Sequence, residues 1–186
     1  MAYSVLIKNA VAATDIASYN RYAVSGSTAV TVDIENGWVF QLATQNNTVA
    51  SGYEEVWDVQ IPQTGSLTSL WMACTEKSNI TTDGSLRYSG LNDDPRKFIN
   101  SGSYVFDAFK PMPGDIVTLT ADAFSEALAS NTWLNATNGY FTLVPGTTPT
   151  DDALSLKYLV TTYISIGSGA VDNQRVTAYK FVVTSN

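Results

Sequence analysis

Short runs in which apolar and polar residues alternate, separated by Gly, Pro and Asn, dominate the chain after residue 30. A period of two is typical of strands that bury one face. The predicted strands occupy residues 30–34, 38–42, 55–61, 67–74, 104–109, 116–120, 140–144, 154–166 and 175–184. Many short strands between turns predict a mainly β fold, a sandwich or barrel of short antiparallel strands.

Two turn signals predict which strands are neighbours. Asn36-Gly37 favours a type I′ turn, so it predicts a hairpin between residues 30–34 and 38–42. Residues 167–173 contain two glycines and an Asp-Asn pair, and they predict a second hairpin between the last two strands.

Two segments depart from the alternating pattern. Residues 1–30 show no sustained period and predict an extended N-terminal arm, in which residues 15–22 have the option of a short helical turn. Residues 31–186 are then a single β-rich domain. Within it, Thr120 can N-cap one short helix over residues 121–129, with Asp122 in the favourable first turn.

Composition and charge exclude several classes of partner. Only 15% of the 186 residues are charged, and the formal net charge is −7. The ten basic residues are scattered, so no cluster of Lys and Arg is available to displace counterions from phosphates. The sequence therefore predicts no nucleic-acid partner and no anionic membrane partner. A surface rich in Thr, Ser and Asn suits permanent contact with other proteins, although a secreted β domain would share it.

The residue types that most enzymes use are scarce. The chain has no histidine and one cysteine, which removes the usual general base, the Ser-His and Cys-His pairs and the commonest zinc ligands. Adjacent carboxylates at 54–55, 93–94 and 151–152 could serve glycoside hydrolysis, but neighbours on a strand point to opposite faces. We therefore predict that the protein is not an enzyme and has no catalytic, cofactor-binding or metal-binding residues.

The cysteine and the tryptophans have mostly structural interpretations. Cys74 lies in an apolar run and predicts a buried, inert thiol. Trp38, Trp57 and Trp71 lie in strand-like runs and should pack in the core. Trp133 has polar neighbours, so it is the tryptophan predicted to be an exposed contact residue.

Residues 32–124 resemble a group of small proteins encoded in the head-gene region of tailed bacteriophages and prophages. The motifs that carry the resemblance are 34–39 (IENGWV), 55–59 (EVWDV), 70–73 (LWMA), 106–109 (FDAF) and 113–120 (PGDIVTLT). The resemblance rests on their order and spacing, and the chain after residue 131 matches none of them. It implies a decoration or cement protein that binds the outside of the capsid.

The leading hypothesis is therefore a virion structural protein, assembled in the host cytoplasm, whose partners are the major capsid protein and further copies of itself as a trimer or dimer. The arm would help to bind the shell, and deleting residues 2–25 should leave the β domain folded. The alternative is a carbohydrate-binding or adhesive module, such as a head fibre or tail component, that uses Trp133 on a host-surface glycan. A glycoside-cleaving enzyme ranks third.

Overall fold

The computed structural model describes residues 3–10, 21–24, 32–45, 56–65, 67–75, 98–100, 102, 105–128, 132–166 and 174–186. Within these ranges the chain forms β1 (Leu6–Ala10), β2 (Arg21–Val24), β3 (Val39–Gln45), β4 (Val56–Gln60), β5 (Trp71–Ala73), β6 (Val105–Phe109), β7 (Ile116–Thr120), β8 (Trp133–Asn135), β9 (Val144–Gly146), β10 (Ser155–Ile166) and β11 (Gln174–Ser185). A 3-10 turn at Ala121–Ala123 is the helical element of the described residues. The predicted mainly β fold is confirmed.

The strands are divided between a sheet and a barrel. The sheet has six strands in the order β1-β7-β11-β10-β8-β9, and every neighbouring pair is antiparallel. The barrel closes through five strands in the order β2-β4-β3-β5-β6, in which β2 and β4 are parallel and the other pairs antiparallel.

The main core joins the sheet to the barrel. Its sheet side chains include Leu119, Leu156 and Phe181, and its barrel side chains include Met72 and Phe109. Burying each of these large apolar side chains contributes about 1.5–3 kcal/mol to folding. The sheet and the barrel share this cluster. Unfolding of either one would therefore expose apolar surface of the other.

A second cluster fills the barrel. Phe40 is fully buried, and its ring contacts Phe106 edge-on with the centroids 5.6 Å apart. Trp71 belongs to the same cluster, as predicted for a tryptophan in an apolar run. Cys74 is a buried thiol in the main cluster, which confirms its predicted burial.

The described parts of the predicted arm contain two strands, β1 and β2. β1 pairs with β7 in the sheet, and β2 pairs with β4 and β6 in the barrel. Val5 is buried beside β1, and its N–H donates to the hydroxyl of Thr120 over 2.9 Å. Residues 21 and 22 are strand rather than the helical turn considered over 15–22, and residues 15–20 lie outside the described ranges. The sheet and the barrel therefore each include a strand from the first 30 residues.

The hairpin predicted around Asn36-Gly37 is wrong, and the turn at this point is not type I′, because Gly37 has a positive φ and Asn36 does not. The N–H of Trp38 donates to the carbonyl of Glu35 over 3.2 Å, and Gly37 has a φ of +91°. Ile34, however, pairs with Asn100, while β3 pairs with β4 and β5. The turn sets the local bend of the backbone. Which strands become neighbours is set by pairing with residues distant in sequence.

The helix predicted over residues 121–129 is also wrong. Its proposed N-cap, Thr120, makes no side-chain cap bond, because its hydroxyl accepts from Val5 instead. The helical conformation ends at Ala123, and Phe124 is extended with φ −109° and ψ 150°. The N–H of Ser125 donates to the carbonyl of Leu143 over 2.9 Å. Strand-like bonding to another segment replaces the helix.

The C-terminal third contains one confirmed hairpin and two differences. β10 and β11 pair antiparallel along their length, as predicted. The strand predicted over residues 140–144 begins only at Val144, and the three-residue strand β8 was not predicted. β8 lies between β10 and β9, so it places Trp133 in the sheet.

Candidate interaction surface

The candidates for a chemical site are a metal-binding group and the paired carboxylates that the sequence offers. No group of three or more His, Cys, Asp and Glu side chains that could hold a metal ion occurs among them. Asp151 and Asp152 are exposed and lie in a turn, where Asp152 has a φ of 53°. The pairs at 54–55 and 93–94 lie outside the described ranges. In the same part of the chain, no helix is long and apolar enough to cross a membrane.

The six-stranded sheet has one face on the main core, and its opposite face carries a row of large side chains. Lys157 of β10 pairs with Trp133 of β8 and with Val182 of β11, and Val182 pairs with Ile116 of β7. Directly paired residues share a face, and their neighbours along the strands point the other way. Since Leu156 belongs to the core cluster, this row lies on the face away from it.

A second row lies beside the first because β10 contains a bulge. The register shifts between Tyr158 and Val160, which leaves Leu159 as the extra residue. After the shift, Val160 pairs with Lys180, which also pairs with Thr118 of β7. Val160 and Lys180 therefore share the face of Lys157. Without the bulge, Val160 would point toward the opposite side of the sheet.

Exposure is greatest on the β10 side of this face. Thr118 and Ala178, near or on β7, are at most 2% exposed, whereas Val160 is 50% exposed. Lys157 is exposed, and the remaining large side chains of the two rows are partly exposed. We define the outer face by five residues: Trp133, Lys157, Val160, Lys180 and Val182.

Trp133 is half-buried rather than fully exposed, and its ring interacts with the ammonium group of Lys157. The ammonium nitrogen of Lys157 lies over the indole, 5.9 Å from the ring centroid. A cation at this distance is attracted by the negative face of the ring. The pairing of Lys157 with Trp133 in adjacent strands keeps the two side chains together. The predicted contact residue is thus the aromatic end of the outer face.

The outer face lies in a region whose charge is opposite to that of the whole chain. Between residues 155 and 185 there are three basic residues, Lys157, Arg175 and Lys180, and one acid, Asp172. This segment has a formal charge of +2, so the rest of the chain carries −9. Neither β10 nor β11 contains an acidic residue. A partner at this face would meet cations and apolar surface with no carboxylate from these two strands.

The far end of the β10–β11 hairpin extends beyond its described neighbours. Thr162 of β10 pairs with Ala178 of β11, and Ala178 also pairs with Thr120 of β7. This is the last residue pair of the hairpin that has a third described strand beside it. Beyond it, four more residue pairs, the last of them Ile166 with Gln174, involve only β10 and β11 among the described strands. Tyr163, in the first of these four, is 61% exposed. Among the described strands, this two-stranded ribbon has little support from its neighbours.

Sequence reasoning identified Trp133 but missed the other four residues of the outer face. Lys157 and Lys180 are isolated basic residues in the sequence, 23 positions apart, and they share a face only through the strand register. The bulge at Leu159 reverses the alternation along β10, so the sequence period alone assigns Val160 to the wrong face. No signal in the sequence marks that bulge.

Comparison with models of protein families, with curated proteins and with solved structures finds no match for the chain.

Proposed function

We propose that this chain is a non-enzymatic structural protein that binds another protein through the outer face. Its partner is the major capsid protein on the outside of a tailed-phage head, and its role is to decorate and stabilise that shell. The resemblance of residues 32–124 to head-region proteins supports the choice of partner. The chemistry of the outer face is the observation that carries the proposal.

The outer face combines the side chains that protein interfaces favour. Trp133 offers a large aromatic surface whose orientation is already restricted by Lys157, so less side-chain freedom is lost on binding. Val160 and Val182 add aliphatic area around it. Interfaces are enriched in aromatic anchors that apolar contacts shield from water. The face is thus suited to a protein surface with complementary apolar area.

The two lysines define the charge that the partner should present. Lys157 and Lys180 flank Val160 and Val182 on the face, and no acid lies on β10 or β11 to neutralise them. A capsid surface that carries carboxylates near an apolar depression would complement them and set the orientation of docking. Nucleic acid is a poor partner, because the net charge of −7 repels phosphates from the molecule as a whole.

Because a capsid repeats the same binding site many times, a weak contact at each site is enough for the protein to stay bound to the shell. A capsid presents the same surface many times, and neighbouring decoration subunits that also contact one another bind more tightly than an isolated one. Each bound copy then resists separation of the capsid subunits beneath it. A decoration protein of this kind acts by contact alone and needs no catalytic group.

Binding of charge-reversed variants to capsids tests the proposal. Purified protein is sedimented with heads, from the phage that encodes this chain, that lack the protein. Lys157→Glu and Lys180→Glu should each weaken co-sedimentation about tenfold, since each places a carboxylate where the partner's own carboxylate is expected. Lys110→Glu makes the same charge change outside the face, at a residue that bonds Ser69, and should have little effect. Equal loss in all three variants, or no loss, would contradict the proposed face.

A carbohydrate-binding module is the second candidate, because the partly exposed indole of Trp133 could stack on a sugar ring. Lys157 lies over the same ring, which leaves less of it available. Asn135, the nearest amide in β8, is already bonded to Thr148, Thr150 and Ser155. The side chains around Trp133 therefore favour a protein contact over a sugar-binding platform.

A further inference from the structure

The outward edge of β10 is a second surface, which shares only Val160 with the outer face. β8 pairs with β10 only as far as Lys157, and the last bond on that side runs from the N–H of Tyr158 to the carbonyl of Thr132. From Leu159 to Ile166, β10 pairs only with β11 among the described strands. The side away from β11 therefore presents a row of backbone donors and acceptors suited to another strand.

The sequence of this edge lacks the charged residues and prolines that usually protect an open strand, and the bulge at Leu159 lies at its start. Residues 159–166 read LVTTYISI, with no charge, no proline and no glycine. Natural edges are normally short, charged or interrupted by proline, because an open apolar edge recruits other strands. Leu159, Val160 and Tyr163 are 47%, 50% and 61% exposed, and they are three of the five large hydrophobic side chains exposed among the described residues.

The segment is complementary to itself in the antiparallel direction. Pairing two copies about Thr162 places Thr162 opposite its equivalent, Val160 opposite Ile164, and Thr161 opposite Tyr163. The first two pairs lie on one face and the third on the other, as in the hairpin itself. β-Branched, Thr–Thr and aromatic–Thr pairs of this kind stabilise a sheet. No charged residue of one copy faces a charged residue of the other, although each chain has a net charge of −7.

We infer that two copies of this chain pair through the outward edges of β10, antiparallel and about a two-fold axis at Thr162, to form one continuous twelve-stranded sheet. The inference does not depend on the capsid contact, since it concerns the free protein. Such an interface is isologous, so it closes at a dimer and leaves both outer faces on the same side of the joined sheet.

The size of the contact determines how tight the dimer is. Residues 159–165 of each strand cover a length of about 24 Å and a height of about 10 Å, so the pairing buries roughly 500 Å² in total. Stable interfaces begin near 1,200 Å². The dimer should therefore be weak in solution, with a dissociation constant between about 10 µM and 1 mM. Neighbouring copies held on a shell would pair far more completely.

Sedimentation velocity of the full chain from about 5 µM to 1 mM measures the dimer. The wild type should pass from monomer toward dimer with concentration. Tyr163→Lys places a charge at the edge in both copies and should raise the dissociation constant about tenfold. Thr177→Lys is the matched control, because Thr177 pairs with Tyr163 on the same face but belongs to β11. It should leave the dissociation constant unchanged.

A cross-link tests the register. Thr162→Cys lies on the two-fold axis, so its thiol should form an intermolecular disulfide under mild oxidation, whereas Cys74 of the same chain is buried. Thr177→Cys, one strand away, should not cross-link. A wild type that is monomeric at every concentration, equal effects of the two lysine variants, or equal cross-linking of the two cysteine variants would each overturn the inference. Capsid binding by the Tyr163→Lys variant is measured separately and reports on the outer face alone.

Discussion

The side chain of Asn186 takes the place of a backbone partner for Leu70. Its carbonyl oxygen accepts from the N–H of Leu70 over 2.9 Å, and its amide nitrogen donates to the carbonyl of Leu70 over 3.0 Å. The same nitrogen also donates to the carbonyl of Pro111 over 2.8 Å. Asn186 directly follows β11, and Leu70 directly precedes β5, so this amide connects the sheet to the barrel.

Asn186→Ala should therefore destabilise the fold by about 1–3 kcal/mol, because it leaves the polar backbone groups of a fully buried residue without these partners. Urea unfolding followed by tryptophan fluorescence measures the change. Asn186→Asp keeps the acceptor and loses the donor, so it should have an intermediate effect. Unchanged unfolding of Asn186→Ala would show that water replaces the amide at no cost.

Gly37 is the glycine whose replacement should cost most. Its φ is +91°, and a Cβ built there would lie 2.8 Å from Cδ2 of Leu119, in the main core. Gly37→Ala should destabilise the protein by about 2–4 kcal/mol through backbone strain and overpacking together. Gly65→Ala is the control, since Gly65 has a φ of +86° and nothing within 4 Å. It carries only the backbone cost, about 1 kcal/mol, and equal effects would exclude the clash with Leu119.

Removal of residues 2–25 should prevent folding rather than yield a shorter stable domain. The deletion takes β1 from the sheet and β2 from the barrel, and it removes the buried side chain of Val5. Both the open edge of β7 and the opened barrel would lose hydrogen bonds and apolar cover. The expected result is the absence of a cooperative thermal transition by circular dichroism. A truncated protein that unfolds cooperatively would support a detachable arm.

Trp133→Ala separates the two candidate functions. If Trp133 is the anchor of a protein contact, the substitution should weaken capsid binding about thirtyfold, the loss typical of a central aromatic residue. Wild-type protein should then bind no sugar on a glycan array. Trp133→Phe, which keeps an aromatic ring, should retain most of the binding. Glycan binding by the wild type that is lost in Trp133→Ala would favour the carbohydrate-binding module.

Local patterns in the sequence predicted the strands well and their partners poorly. The β10–β11 hairpin followed from its alternation because its two strands are close in sequence and pair with each other. The same reasoning gave the wrong partner for the segment that contains Ile34, because Ile34 pairs with Asn100, 66 residues away. Thr120 looked like an N-cap, but its hydroxyl is used by Val5, 115 residues earlier. In each case a long-range hydrogen bond replaced the local one.

The outer face was beyond sequence reasoning for a related reason. Trp133 could be chosen from its polar neighbours, but its position in β8 depends on pairing with β10. Val160 faces the same side as Lys157 only because Leu159 bulges out of the ladder. One extra residue in a strand reverses the direction of every side chain after it. A surface assembled from three strands therefore required the register of all three.

Quantitative mass spectrometry of purified particles of the phage proposed to encode this chain tests the central claim most directly. The copy number of this protein is compared with that of the major capsid protein in the same particles. A decoration protein predicts a ratio near one-to-one or another simple fraction of the lattice. A few copies per particle would instead indicate a fibre or neck component, and absence from particles would contradict a virion role.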